Sequence, residues 1–300
     1  MSIDRDYVLK DRFARRSGRV YLTGNDTLVR LLLEQGWSDK QAGMDTAGFV
    51  TGYRGSPLGT LDMALEKAAA QLSQARVTFE PGLNEDLAAT AVWGTQQASL
   101  LPDATVEGVF GMWYGKGPGV DRSADALKHA NQAGVSSGGG VLAIAGDDPA
   151  AKSSSLAHQS EPVLAACGIP VLSPSFPEEF ITFGLAGWAA SRYSGGWVSM
   201  RIPTDLVESA ATVDLDGIQR QFRLPDRAIS PDRFIEWARP ALDQERVTFD
   251  VRALRLPVLG TLAVFAGVLG YGYITYRYTS DAVPFLVVST VRRMSSTVLT

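Results

Sequence analysis

Glu85 lies in GLNEDLAATAVWGTQ (82–96), where an asparagine and two adjacent acids run straight into small apolar residues at helical spacing. A carboxylate at the mouth of so apolar a helix can do one of two things. It can face the helix dipole: with Asn84 as N-cap, Glu85 and Asp86 fall in the first turn, where negative charge contributes about 0.3–1 kcal/mol. Alternatively it can serve as an acid or base at a site, with the small side chains of Ala88, Ala91 and Gly94 allowing close approach. Asp86 fits the first role well, and for Glu85 both stand.

Three other stretches set polar groups among glycines and prolines: GYRGSPLG (52–59), YGKGPGVDRS (114–123) and GDDPAAKSSS (146–155). Glycine lets backbone approach a ligand, and exposed N–H groups at a helix start favour anions, so each could line a polar site. The same residues also simply punctuate strand ends. Arg54 and Lys152 could neutralise an anionic substrate or phosphate, or be solvated. Familiar templates fail: GKGPG lacks the spacing of a dinucleotide fingerprint, and neither a P-loop nor a G-x-S-x-G elbow occurs. Ser153 to Ser155, His158, Asp147 and Asp148 would be crowded for a hydrolytic triad. Two histidines, His129 and His158, without paired spacing argue against zinc, and Asp125 with His129 reads as a surface pair four residues apart.

The elements that must carry these residues alternate. Apolar runs suited to buried strands fall at 47–53, 105–113, 139–148, 169–174 and 196–203, with helical patterns at 59–74, 84–99, 120–133, 159–167 and 177–193. This rhythm predicts an α/β fold with a mostly parallel sheet and helices on both faces, whose ligands bind beyond the carboxyl ends of the strands. Before it, Met1 to about Arg19 reads as a polar arm docking on another surface. In TGNDTLVRLLLEQG, Asn25 or Asp26 would cap a helix that Gly36 stops.

At 45 % hydrophobic and 20 % charged, with net charge -4 over 300 residues, the chain has material for a real core and no basic stripe for nucleic acid. The single cysteine, Cys167 in AACGIP, excludes a disulfide framework and multi-cysteine cluster sites on this chain, and reads as a core residue. MSIDRDYVLKDRFARR shows no apolar run of a secretory signal, so a cytoplasmic protein is expected. A linker with a short helix follows at 227–255, and 256–300 is a hydrophobic tail in which Leu256–Tyr276 gives 21 uncharged residues, enough to span a bilayer. Three readings of the tail stand: an anchor, a piece of a truncated domain, or a stretch in an altered frame. The abrupt change of composition favours the last over the first.

Taken in order, GYRGSPLG, GLNEDLAATAVWGTQ, WYGKGPGVDRSADALKHAN, GDDPAAKSSSLAHQSE and GIPVLSPS resemble the indolepyruvate ferredoxin oxidoreductases, thiamine-diphosphate-dependent 2-oxoacid oxidoreductases, over residues 20–226. The stretch is similar to their N-terminal pyrimidine-binding module. The resemblance implies that Glu85 is the glutamate bonding the aminopyrimidine ring nitrogen and acting as its acid–base relay. It places Gly55, Ser56, Pro57, Lys116 and Asp148 toward the cofactor, and Tyr53, Arg54, Ser56, Ser153 and Ser154 toward the 2-oxo acid. It further implies thiamine diphosphate with Mg2+ held mainly by a diphosphate-binding module or subunit, iron–sulfur clusters and CoA on partner regions, ferredoxin as electron acceptor, and a dimer. The family's G-D-G triplet and cysteine clusters are missing here and the pattern departs after about Asp226, so a partial chain, inactive alone, is expected. The alternative is a non-catalytic thiamine-fold binding or regulatory protein, tethered by its tail.

Overall fold

In the computed structural model, residues 6–152, 154–222, 224, 230–237 and 239–252 are described. Among them the strands are β1 (Arg19–Thr23), β2 (Thr46–Gly52), β3 (Val77–Phe79), β4 (Gly108–Lys116), β5 (Val141–Asp147), β6 (Val171–Leu172), β7 (Val198–Pro203) and β8 (Ala210–Asp214). The helices are α1 (Asp11–Ala14), α2 (Gly24–Gln41), α3 (Leu61–Lys67), α4 (Ala69–Gln74), α5 (Glu85–Gln97), α6 (Gly117–Arg122), α7 (Ala124–Ala133), α8 (Glu161–Ala166), α9 (Pro177–Ser194), α10 (Thr204–Val207) and α11 (Ala241–Arg246).

Six strands form one parallel sheet in the order β3-β2-β4-β5-β7-β6, the α/β architecture expected from the alternation of strand and helix patterns. Central β5, VLAIAGD, is buried at every residue, which is why it reads as a continuous apolar run. Side chains alternate between two cores. Phe110, Met112, Leu142 and Ile144 pack with α2 and α9, whereas Trp113, Val141 and Ala143 pack with α5 and α7. The Phe110 and Trp188 rings meet edge to face at 5.4 Å, and Trp188 Nε1 donates to the Gly111 carbonyl at 2.9 Å. Cys167 is buried at 6 % exposure, as its apolar setting implies.

Several local expectations are corrected. The N-terminal arm docks on its own chain: Phe13 is buried, Arg12 bonds Asp26 at 2.9 Å, and the Tyr7 hydroxyl accepts from the Tyr21 N–H at 3.0 Å. Thr23, not Asn25 or Asp26, caps α2. Its hydroxyl accepts from the Asp26 N–H, and the Asp26 carboxylate returns to the Thr23 N–H at 3.2 Å, a reciprocal capping box. Gly36 does not stop α2, because it provides a close approach: a Cβ there would meet the Ala75 carbonyl at 2.8 Å. Strands β3, β1 and β8 escaped the pattern because β3 has only three residues, and the antiparallel β1–β8 pair shows an exposed, mixed face. That pair ties residues near 20 to residues near 214.

Beyond β8, a turn at Pro231–Arg233 and α11 fold back onto the module. Arg252 donates to the carbonyls of Asn131, Gln132 and Ala133 at 2.8–3.2 Å and so closes the carboxyl end of α7. Burial and then the nearby Arg239 charge lower its guanidinium to about 9. No helix among the described residues is long and apolar enough to cross a membrane. Leu256–Tyr276 and the rest of the tail lie outside the described residues, as does Ser153.

Candidate functional site

The sheet order fixes where a ligand fits. The connection leaving β2 goes out to β3, and the one leaving β4 goes the opposite way to β5, so the chain diverges between the carboxyl ends of β2 and β4. Such a switch point opens a crevice. Here it is rimmed by Gly52 and Tyr53 from β2, Lys116 from β4, and the amino end of α5, which crosses back from β3. The Gly82 N–H donates to the Gly52 carbonyl at 2.9 Å and so holds the start of α5 against the crevice.

Glu85 is the first residue of α5. Asn84 is its N-cap, with Oδ1 accepting from the Leu87 N–H at 2.8 Å, and Asp86 pairs with Arg122 at 3.1 Å. The helix-cap roles expected of Asn84 and Asp86 are therefore filled. Glu85 differs from both. It is 6 % exposed, its main-chain carbonyl accepts from Trp113 Nε1 at 3.0 Å, and among the described residues its carboxylate makes no hydrogen bond or ion pair. The carboxylate lies against two glycines of GKGPG: a Cβ on Gly119 would stand 2.6 Å from Oε1, and one on Gly115 3.5 Å from Cγ. These glycines belong to the site yet were not singled out in the sequence. Their signal was a glycine at every second position, which β4 and α6 turn into a wall without side chains.

The small residues behind Glu85 divide. Ala88 is buried inside the protein's own core, so it gives no clearance to a ligand. Ala91 and Gly94 face outward, with nothing within 4 Å of a Cβ on Gly94, and beside them Leu83 and Leu87 are 84 % and 52 % exposed.

The first loop sits across the crevice from Glu85. Tyr53 is exposed and its N–H donates to the Tyr114 carbonyl at 3.2 Å. A Cβ on Gly55 would meet Lys116 Cδ at 2.9 Å, so the lysine stem lies along the loop. Pro57 follows half-buried Ser56 through a cis bond and packs over Gly146 at the end of β5. Exposed Arg54 and the Lys116 ammonium have no ion pair among the described residues, so two cations border the crevice. Beneath the loop, Tyr114 donates to Asp62 at 2.5 Å. Burial, and then Asp62, raise its phenol well above the ordinary value and keep it neutral.

The third loop is turned mainly to its own structure. The Asp148 carboxylate accepts from the Lys152 N–H at 3.0 Å, and the Lys152 ammonium pairs with Asp205 at 2.5 Å, which raises its pKa. Lys152 is thus engaged, and of the two cations weighed only Arg54 remains for an anion. Ser154 is half-buried in the bend that follows. Among the described residues no triad forms here: Asp147 accepts from the Ser160 hydroxyl at 2.5 Å, the Ser160 N–H at 2.9 Å and Arg201 at 3.1 Å. His158 was weighed for that triad and for zinc. Its ring lies against the Gly117 backbone, with Nε2 2.8 Å from Asp121 Oδ2 and Nδ1 3.6 Å from Asp147 Oδ1. His129 and Asp125 form the expected exposed pair at 3.5 Å.

The fit to an aminopyrimidine rests on Glu85, a nearly buried acceptor without a partner beside a wall bare of side chains. Among the described residues no group of three or more His, Cys, Asp or Glu side chains is placed to hold a metal ion.

No family model matches the chain. It is 25 % identical over 170 residues to the indolepyruvate oxidoreductase subunit IorA of Methanothermobacter marburgensis, which is 57 % of this chain and 24 % of that protein. It is 23 % identical over 222 residues to the subunit of the same name from Methanothermobacter thermautotrophicus, covering 74 % and 32 %. The chain thus spans about a quarter to a third of the length of these curated relatives. Among solved structures, the 2-oxoglutarate:ferredoxin oxidoreductase of Magnetococcus marinus, with 2-oxoglutarate, coenzyme A and succinyl-CoA bound, superposes with a TM-score of 0.52 at 15 % identity, over 86 % of this chain and 46 % of that one. That likeness is one of fold. The chain is thus similar in sequence to indolepyruvate oxidoreductase subunits and in fold to a 2-oxoglutarate:ferredoxin oxidoreductase.

Proposed function

We propose that this chain is the pyrimidine-binding part of an enzyme that oxidatively decarboxylates an aryl 2-oxo acid of the indolepyruvate kind to an acyl-CoA, with ferredoxin accepting the electrons. The observation that carries the reading is Glu85: 6 % exposed, its carboxylate unpartnered among the described residues, at the switch-point crevice. Its carboxylate is left open to a donor on a ligand, while the helix dipole contributes only about 0.3–1 kcal/mol to holding an acid there.

Thiamine diphosphate, when bound, supplies the nucleophilic carbon and the electron sink. Glu85 would hold the pyrimidine ring nitrogen by a hydrogen bond and could pass one proton to or from it. Gly115 and Gly119 would leave room for the ring beside Glu85, and Gly55, Ser56, Pro57 and Lys116 would help to hold the cofactor. Arg54 and Lys116 would attract the 2-oxo acid's carboxylate, with Tyr53 and Ser56 bordering its path, and Ser154 and Asp148 belong to the loop that follows β5. The diphosphate with its Mg2+, the iron–sulfur clusters and CoA fall to partner regions. Exposed Leu83 and Leu87, on the same edge as Glu85, offer apolar surface to a diphosphate-binding module or to a second copy in a dimer. The cytoplasm is the location in keeping with ferredoxin and CoA.

The test is turnover of an aryl 2-oxo acid by the chain reconstituted with a diphosphate-binding, iron–sulfur partner. Glu85→Gln should lower kcat by at least about a hundredfold, in line with loss of positioned acid–base catalysis. Full turnover by Glu85→Gln would overturn the reading.

A further inference from the structure

At the opposite end of the sheet, α2 runs down to Gln41 just before β2 begins, and a cleft of about 780 Å3 opens beside its last turns. That is within the size range of small-molecule sites, roughly 300–1,000 Å3. Its lining includes Arg16, Lys40, Arg220, Trp37, Ser38 and Glu34. Buried Arg30 stands behind, so four cations surround one carboxylate in a chain whose net charge is -4. Glu34 cannot serve them all. Arg30 Nε and Nη2 take its Oε1 at 2.9 and 2.5 Å, and Arg220 Nε takes its Oε2 at 2.7 Å.

The neighbouring acid is equally occupied, since Asp39 binds Arg192 at 2.7 Å through both oxygens and also accepts from Thr46 and Gln35. Arg16 lies over Trp37, 3.3 Å from the ring centroid, and among the described residues neither its guanidinium nor the Lys40 ammonium has a hydrogen-bond or ion-pair partner. Burial, and the like charges of Arg30 and Arg220 against the single charge of Glu34, lower the Arg16 guanidinium from its ordinary value. The Ser38 hydroxyl in the cleft wall is buried without a partner. Excess charge, unused donors and an orphan hydroxyl converge from three chain segments.

We propose that this cleft binds a phosphate-bearing anion, with Arg16, Lys40 and Arg220 on its oxygens and the Ser38 hydroxyl donating to it. The Arg16 fork, the Lys40 ammonium and the Nη2 that Arg220 keeps beyond its bonds to Glu34 and the Ile218 carbonyl suit a multiply charged phosphate better than a single carboxylate. Gln41 and Gln221 line the rest of the cleft with Gln219, whose amide donates to the Gln221 carbonyl at 3.1 Å. The site is distinct from the Glu85 crevice, because it opens where the strands begin rather than where they end.

Calorimetric titration of the full chain with inorganic pyrophosphate, and separately with citrate at matched ionic strength, tests it. Saturable one-site binding of pyrophosphate is expected, weakened about tenfold in Arg16→Gln and in Lys40→Gln. Both side chains are exposed, so the fold should hold, which a thermal melt checks. Titration with ADP separates the sources: tighter binding than pyrophosphate supports a nucleotide, weaker binding a free polyphosphate. Absence of saturable binding, binding unchanged in both variants, or citrate bound as tightly as pyrophosphate would each overturn the proposal. Glu85→Gln should bind pyrophosphate as the parent does, so the two sites fail or stand separately.

Discussion

Glu85 and Gly119 touch with no side chain between them: a Cβ on Gly119 would stand 2.6 Å from both Cγ and Oε1 of Glu85. Helix α6 therefore serves as one wall of the crevice. Its place is fixed from two sides, by Arg122 on Asp86 at 3.1 Å and by His158 on Asp121 at 2.8 Å.

Gly119→Ala should separate catalysis from folding. The added methyl meets the Glu85 side chain from Cγ to Oε1, so Glu85 must move, and alanine inside a helix offsets the cost by about 0.5–1 kcal/mol. Turnover in the reconstituted enzyme is expected to fall about a hundredfold, the scale of a 1 Å misplacement, with the melting temperature nearly unchanged. Wild-type turnover would show that the Glu85 position does not matter to the reaction.

Glu85→Ala should leave the isolated chain close to its parent stability. The substitution forfeits about 0.3–1 kcal/mol of dipole interaction and, among the described residues, no hydrogen bond or ion pair of the carboxylate. That corresponds to a fall of at most about 4 °C in a thermal melt. A larger fall would mean that Glu85 supports the fold.

His158 acts on the crevice at one remove, through Gly117 and Asp121 on α6. His158→Ala should lower kcat about tenfold with a smaller effect on KM, because the wall beside Glu85 shifts. His158→Gln, whose amide can still donate to Asp121, should keep most of the activity. Equal losses in both variants would point to the ring's packing instead.

Much of this was legible in the sequence, and the exceptions share a cause. Long buried strands such as β5 announce themselves through continuous apolar residues, and Asn84 was readable as a cap from its neighbours alone. The bounds of β4 were less so: it runs to Lys116, because Tyr114 and Gly115 pair with Ile144 and Ala145. Gly36 looked like a helix stop because its actual reason, Ala75 at close range, is distant in the chain. His158 and Gly117, or Glu85 and Gly119, are likewise separated by some tens of residues. The role proposed for Glu85 comes from resemblance, and its contact with Gly119 only from the fold.

Glu34 provides a pH-dependent test of the cluster behind the basic cleft. Burial pushes its carboxyl up, but hydrogen bonds and charges from Arg220 and Arg30 outweigh that and hold it below the ordinary value of 4.5. Burial also lowers Arg30 against the opposing pull of Glu34, yet an arginine stays charged throughout the range of folding. A carboxyl lowered in the folded state contributes stability that is complete above its unfolded value and lost as the pH falls through the folded one. The parent chain should therefore lose more stability than Glu34→Gln on going from pH 5.5 to about 3 in urea titrations. At neutral pH the order of cost is set by Arg30, which is 0 % exposed: Glu34→Ala strands that charge and should cost about 3–5 kcal/mol. The double variant Arg30→Met with Glu34→Leu removes both charges and should recover most of the loss, and failure to recover it would show that Arg30 is held by its bond to the Arg12 carbonyl rather than by Glu34.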